Sequence, residues 1–191
     1  MARIGFKKAK YNKHDGNKYT SFKDSEVPVF EKVVDEKFAP EYNSAELYAN
    51  DSLSESDYSF KKGTLSVTIV DDEDEFIAEL FGNAIENGEV TSTINDTAPE
   101  FGYGHIVPKM VGSVKKFKVE FFPRVKWTKI TTDNKTRGES LEFGTTALEG
   151  TVFPLETDFN GLKEGTWEKH QTFATLTEAE TYLDSLLTPK A

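Results

Sequence analysis

Between Phe117 and Trp127 the chain places Phe117, Val119, Phe121, Pro123, Val125 and Trp127 at alternate positions. Lys116, Lys118, Glu120, Arg124 and Lys126 fill most of the others. A period of two is the signature of a β-strand with one face buried and the other polar. Proline has no amide hydrogen to donate, so Pro123 predicts a sheet edge or a bulge at that point. "TLSVTIV" at 64–70 alternates in the same way, with Leu65, Val67 and Ile69 set against Thr64, Ser66 and Thr68. Further strands are expected at 27–38, 103–111, 139–147, 148–156 and 166–173. Asn160-Gly161, between the last two, suits a tight turn, and "TTDNKTRG" at 131–138 reads as a longer polar connection.

Two segments change the period. In "DDEDEFIAELFG", Asp72 is placed to cap a helix and Glu75 to complete a capping box. Phe76, Ile77, Leu80 and Phe81 then form one apolar stripe, and Gly82 ends it. The acids at 71–75 lack the spacing and the sixth-position glycine of an EF-hand loop, and acids are favoured at a helix N-terminus. In "TEAETYLDSLLTP", Thr177 caps, Glu180 closes the box, Ala179, Leu183, Leu186 and Leu187 form the stripe, and Pro189 follows the end. The expected fold is mainly β: an antiparallel β-sandwich or barrel-like domain with a flanking α-helix, a long inter-strand loop and a C-terminal helix. It spans 1–191 as one domain, with a basic N-terminal arm at 1–23, an acidic loop at 39–57 and the C-terminal helix and tail at 175–191.

Composition supports a folded domain, since 37% hydrophobic residues and 15 Phe supply a core despite 29% charged residues. The chain has no cysteine, which excludes disulfides and thiolate metal sites. No apolar segment follows the basic N-terminus and no run of 18 apolar residues occurs, so neither a signal peptide nor a membrane span is expected. The sequons at Asn50, Asn95 and Asn134 then read as accidental. The formal charge of −10 is blocked: +6 over 1–23, −16 over 24–104, +6 over 105–130 and −6 over 131–191. Such blocks suit complementary contacts between copies of one protein better than uniform nucleic-acid binding.

Signals for catalysis are weak. His14, His105 and His170 fall in the basic arm and in two strands, with no G-x-S-x-G, H-E-x-x-H, Walker or G-x-G-x-x-G motif. His105 is expected on a strand surface or at an interface. "FGYGH" at 101–105 leads into a strand, so its glycines imply no phosphate cradle. Acids are so abundant that no pair stands out for glycoside hydrolysis. No enzymatic activity, cofactor or metal is expected. The basic strand face with Phe122 reads as a solvated or self-association surface rather than a nucleic-acid site. Trp127 lies on the apolar parity of its strand and reads as core. Trp167 stays open as the platform of an alternative, a β-sandwich binding module of the decoration or carbohydrate-binding kind.

Seven stretches in order carry a resemblance: "RIGFKKAKY" at 3–11, "AELYANDSLSE" at 45–55, "FKKGTLSVTIVDD" at 60–72, "FGYGHIVPK" at 101–109, "KFKVEFFPRVKW" at 116–127, "KTRGESLEFGTTALEGTV" at 135–152 and "TFATLTEAETYL" at 172–183. Together they resemble the major tail proteins, the tail-tube subunits of long-tailed bacteriophages with non-contractile tails. One departure is Asn50, which stands where the family often has a second acid before Asp51. The resemblance implies a barrel-like subunit, six copies to a ring, and stacked rings forming the tube through which the genome passes. It implies location in the virion tail, with assembly in the host cytoplasm. Expected partners are further copies of itself, the tape-measure, terminator and distal tail proteins, and DNA in transit, with no membrane insertion. Tubes of phage-tail-like bacteriocins are similar.

Within that frame the acidic stretch 39–57 is expected to reach a neighbouring copy. Tyr42 and Tyr48 share parity, so an extended arm presents both on one face, and Glu46, Asp51 and Glu55 supply charge. Their expected partners are Lys7, Lys8, Lys10, Lys116, Lys118, Arg124 and Lys126 of the next subunit. A lumen that passes DNA must not hold it. Non-specific phosphate contacts of about 10⁻⁴–10⁻⁶ M, roughly 5.5–8 kcal/mol, would stall transit if repeated along a tube. An acidic wall is therefore expected, with the basic strand face at subunit contacts or outside.

Overall fold

The computed structural model describes residues 2–3, 5–21, 26–30, 32–49, 52–70, 73–133 and 144–190. Asn50, Asp51, Asp72, Asn134 and the expected strand start at 139–143 lie outside the described residues. The chain opens with β1 (Ala2–Arg3), β2 (Lys7–Asp15), β3 (Lys18–Tyr19) and β4 (Val29–Phe30). Next come β5 (Val33–Tyr42), β6 (Ala45–Ala49), β7 (Ser52–Asp57), β8 (Phe60–Ile69) and α1 (Asp74–Phe81). After the small β9 (Ala84–Glu86) and β10 (Glu89–Thr91) follow two long strands, β11 (Glu100–Val111) and β12 (Val114–Asp133). The chain closes with β13 (Thr145–Val152), β14 (Lys169–Phe173) and α2 (Leu176–Leu187).

The main sheet is antiparallel in the order β3-β2-β11-β12-β13-β8-β5, with β1 also on β11, β4 on β2 and β14 on β12. β12, 20 residues long, serves two neighbours on one side. Its residues Phe117–Phe121 pair with β14, and Val125–Asp133 pair with β13. The sheet curls so that its last strand, β5, faces its centre: Phe38 and Phe122 stack with centroids 4.6 Å apart, and Tyr103 donates to Glu36 Oε2 at 2.7 Å. This is the expected sandwich or barrel-like architecture. The first core, including Leu65, Val67, Phe101, Tyr103, Phe122, Trp127 and Leu148, fills the space between the layers. The stripe of α1 packs against it, and Gly82 closes that helix in the left-handed conformation, φ 72°.

Pro123 changes the meaning of the alternation that predicted β12. Phe101 pairs with Val125 but Tyr103 with Phe122, so β12 carries one extra residue at this point. A single-residue insertion sends every later side chain to the opposite face. Val119 and Phe121 accordingly lie in a second core beneath α2, whereas Phe122, Val125 and Trp127 lie in the first. The apolar positions do not form one face. The bulge expected from the proline is present, and the missing donor costs no ladder bond. Pro123 falls after the last β14 partner and before the first β13 partner.

The N-terminal segment is not an arm. β2 pairs along the centre of β11 and buries Ala9 and Tyr11 in the first core. Its even residues face α2: Lys8 meets Glu180 at 3.0 Å, Lys10 bonds Asp184, and Asn12 Nδ2 donates to the Leu187 carbonyl at 2.9 Å. Four helical residues advance about 6 Å and two strand residues about 6.8 Å, so the two ladders stay in step. The glycines of "FGYGH" permit this close approach. A Cβ on Gly104 would lie 2.5 Å from Leu183 Cδ1, and one on Gly102 2.4 Å from the Tyr19 hydroxyl.

α2 keeps the expected stripe, with Ala179, Leu183, Leu186 and Leu187 buried, but begins two residues earlier. Thr175 caps it and Glu178 closes the box. Both frames read T-x-x-E; the earlier one lays Leu176 on the second core and leaves Glu180 for Lys8. α1 starts from Glu73 without a side-chain cap, so the expected box with Glu75 does not form. The two strands expected at 139–147 and 148–156 are, where described, the single β13. Asn160 and Gly161, both at positive φ, make a tight turn inside the following loop rather than between long strands. Asn160 is buried and closes the end of α2, donating to the Leu186 and Thr188 carbonyls and accepting from the Lys190 amide.

Candidate functional site

The acidic stretch 39–57 is not a loop. β5 continues through Tyr42 paired to β8, with Tyr42 opposite Phe60. Asn43 then pins Ser59, its amide to the carbonyl at 2.8 Å and its side chain to the hydroxyl at 3.1 Å. Beyond this pinch the ribbon resumes as β6 paired with β7. The ladder continues because β8 supplies a partner that a one-segment reading of 39–57 does not contain. Seven residues from Asn43 to Ala49 at about 3.3 Å each give the extension a reach of about 23 Å.

Tyr42 sits at the root of the extension, 51% exposed, edge-on to Phe60. Glu46 and Tyr48 lie on β6 and Glu55 on β7, while Asp51 is outside the described residues. Two residues outside the ladders, Asn43 and Ser44, separate β5 from β6, and the β6–β7 pairing shifts register between Leu47 and Tyr48.

The expected basic partners separate. Because of the bulge, Lys118 points to the space between the layers, while Arg124 lies on the other side. By register Lys116 goes with Lys118 and Lys126 with Arg124. Arg124 binds Glu100 with two parallel bonds of 2.9 and 2.7 Å and reaches Glu156 at 2.7 Å. The bonds to Glu100 lead the effects that raise its pKa above the ordinary value, against partial burial. Lys118 is bound to Glu120 at 2.6 Å, and Lys8 and Lys10 are bound to α2. Lys7, Lys116 and Lys126 make no ion pair among the described residues, and they are the positions left to meet acids from elsewhere.

A feature that sequence reasoning missed lies between the layers. His105 is not at a surface: it is 3% exposed, with Nδ1 3.1 Å from Glu36 Oε1 and Nε2 3.2 Å from Glu120 Oε2. Phe6 stacks on its ring at 5.2 Å. Three strands thus meet in a buried polar row, Glu36 from β5, His105 from β11, and Glu120 and Lys118 from β12. Burial opposes ionisation of Glu120, but hydrogen bonds from His105 and Lys118, and their charges, hold its carboxyl well below the usual range. The row ties the edge strand that leads into the ribbon to the centre of the sheet. The sequence signal was the polar run Lys118-Val-Glu120 opposite a histidine, legible only once the pairing of β11 with β12 is known.

This row floors a cleft of about 590 Å³ whose walls include Phe6, Phe38, Phe122 and Trp167. Trp167 is stacked on Phe60 at 4.1 Å and 9° and lies over Phe38 at 6.0 Å and 23°. Trp167 is half-buried within this aromatic cluster. Trp127 is fully buried, as expected. Among the described residues no group of His, Asp and Glu has the arrangement of a metal site, and no helix is long and apolar enough to cross a membrane. No family model matches the chain, and no curated protein matches it.

Proposed function

We propose that this chain is a structural subunit that assembles with copies of itself into a tube, as the tail-tube proteins of phages with long, non-contractile tails do. The observation that carries the reading is the β5–β8 ribbon, which extends past the sandwich as β6–β7 instead of closing in a tight turn. An acid-bearing ribbon that extends well past its root is a means of reaching a neighbour, and Lys7, Lys116 and Lys126 are the complementary charges. The ordered resemblance of seven stretches over most of the chain supports the same reading. Each copy brings a formal charge of −10, suited to a bore that passes DNA without retaining it. A head-to-tail contact closes into a ring when its rotation permits, and open sheet edges are satisfied by such closure.

The test is electron microscopy of concentrated protein beside a variant in which residues 44–58 are replaced by Asn-Gly, a two-residue turn suited to a hairpin. Tubes or stacked rings are expected from the intact chain, with the shortened one folded but unassembled. Long tubes from the shortened chain would overturn the role given to the ribbon, and an intact chain found on a particle's exterior would overturn the reading itself.

A further inference from the structure

The chain contains two Asn-Gly pairs, Asn87-Gly88 and Asn160-Gly161, and both form two-residue turns of one kind. The φ angles are 53° and 82° in the first and 45° and 76° in the second, the pair of positive values that such a turn requires. Glu86 pairs with Glu89 across the first turn, and Phe159 with Leu162 across the second. The two asparagines differ in their surroundings. Asn160 is buried, its Nδ2 donates to the Leu186 and Thr188 carbonyls, and its Oδ1 accepts from the Lys190 amide. Asn87 is exposed, and its side chain makes no hydrogen bond among the described residues. The Gly88 amide makes no backbone hydrogen bond among them either, and a Cβ on Gly88 would meet open space. β9 and β10 form a sheet of their own, three residues to each strand, in which every residue but the half-buried Val90 is exposed. A two-stranded hairpin is marginally stable in water, and the facing carboxylates of Glu86 and Glu89 weaken this one further. Segments with little buried apolar surface are the ones that open locally.

We propose that Asn87 is a site of spontaneous deamidation, from which Asn160 is protected although it has the same neighbour and the same turn. When the hairpin opens, the Gly88 nitrogen, unhindered by a side chain, attacks Asn87 Cγ. A bond forms between that nitrogen and Cγ, the bond from Cγ to Nδ2 breaks, and ammonia leaves with the proton lost by the Gly88 amide. Water then opens the cyclic imide. Cleavage at Cγ leaves an aspartate, and cleavage at the main-chain carbonyl leaves an isoaspartate whose backbone runs through the former side chain. Either product sets a third carboxylate beside Glu86 and Glu89. Isoaspartate also lengthens the backbone of a turn built for two ordinary residues, so the modified hairpin stays open. At Asn160 the same attack requires the three hydrogen bonds to the end of α2 and the residue beyond it to break first.

Ageing the dilute full chain at mildly alkaline pH, with peptide mapping by mass spectrometry at intervals, tests the site. The amide-to-acid mass gain is expected at least about tenfold faster at Asn87 than at Asn160, with isoaspartate among the products. In the chain unfolded in guanidinium chloride the two rates are expected to converge, since folding alone distinguishes the two pairs. Equal rates in the folded chain, a faster rate at Asn160, or no modification at Asn87 overturns the proposal. A difference that persists unchanged after unfolding overturns its structural cause. Hydrogen exchange reads the consequence. Amides of residues 84–91 are expected to exchange faster in aged protein than in fresh protein. An aged Asn87→Gly variant, whose Gly-Gly turn suits the same conformation and cannot form the imide, is expected to exchange as before. Unaltered exchange in the deamidated protein, or equal acceleration in the variant, overturns the opening of the hairpin.

Discussion

Replacing His105 with leucine keeps a side chain of similar reach and removes both ring nitrogens from between Glu36 and Glu120. The two carboxylates are then buried against an apolar group, at 7% and 8% side-chain exposure. Removing one partner of a buried charged set typically costs about 3–5 kcal/mol. Glu120 keeps Lys118 and Glu36 keeps the Tyr103 hydroxyl, so the lower end, about 3 kcal/mol, is expected. That is a large share of the roughly 5–15 kcal/mol that holds a domain together. The sign with pH follows from Glu120. Its folded pKa is depressed, so its ionised form stabilises the fold above the ordinary carboxylate range, near about 4.3. This contribution is lost as the pH falls through that range toward the depressed folded value. In the leucine variant part of the contribution is already gone, so the gap between the two proteins narrows on acidification. Urea unfolding followed by tryptophan fluorescence at pH 7 and pH 4 measures the gap, because Trp127 passes from full burial to water. A loss below about 1 kcal/mol at pH 7, or a gap that stays constant or widens at pH 4, would refute the role given to this row.

Two further outcomes concern the frame that holds the site. Gly102→Ala would drive a methyl group into Tyr19, whose ring is fully buried and whose hydroxyl donates to the Pro123 carbonyl at 3.0 Å. A loss of about 1–3 kcal/mol with an altered near-ultraviolet circular dichroism spectrum is expected; an unchanged spectrum and stability would show that the second core yields freely. Thr175→Ala should lower stability by about 1 kcal/mol in thermal or urea unfolding, whereas Thr177→Ala should have a smaller effect, since Thr175 provides the cap.

Period-two alternation at 64–70 and the 3.6-residue stripe of α2 were sufficient to name that strand and the C-terminal helix, because burying one face demands that spacing whatever the partner. The stop at Gly82 was legible for the same kind of reason, a local backbone requirement that glycine meets cheaply. Which face a residue serves was another matter. One extra residue at Pro123 sends Phe121 to one core and Val125 to the other, and divides the basic positions that looked like a single patch. His105 and the Asn160 turn acquire their roles from Glu36 and from the end of α2, groups far from them along the chain. The stretch 39–57 looked like a loop because its strands find their hydrogen-bond partners in separate segments, β5 in β8 and β6 in β7. Local spacing therefore determined which segments are strands and helices, while register, burial of charge and the division between two cores were decided only when distant segments paired, since a one-residue change in pairing reverses the direction of every side chain beyond it.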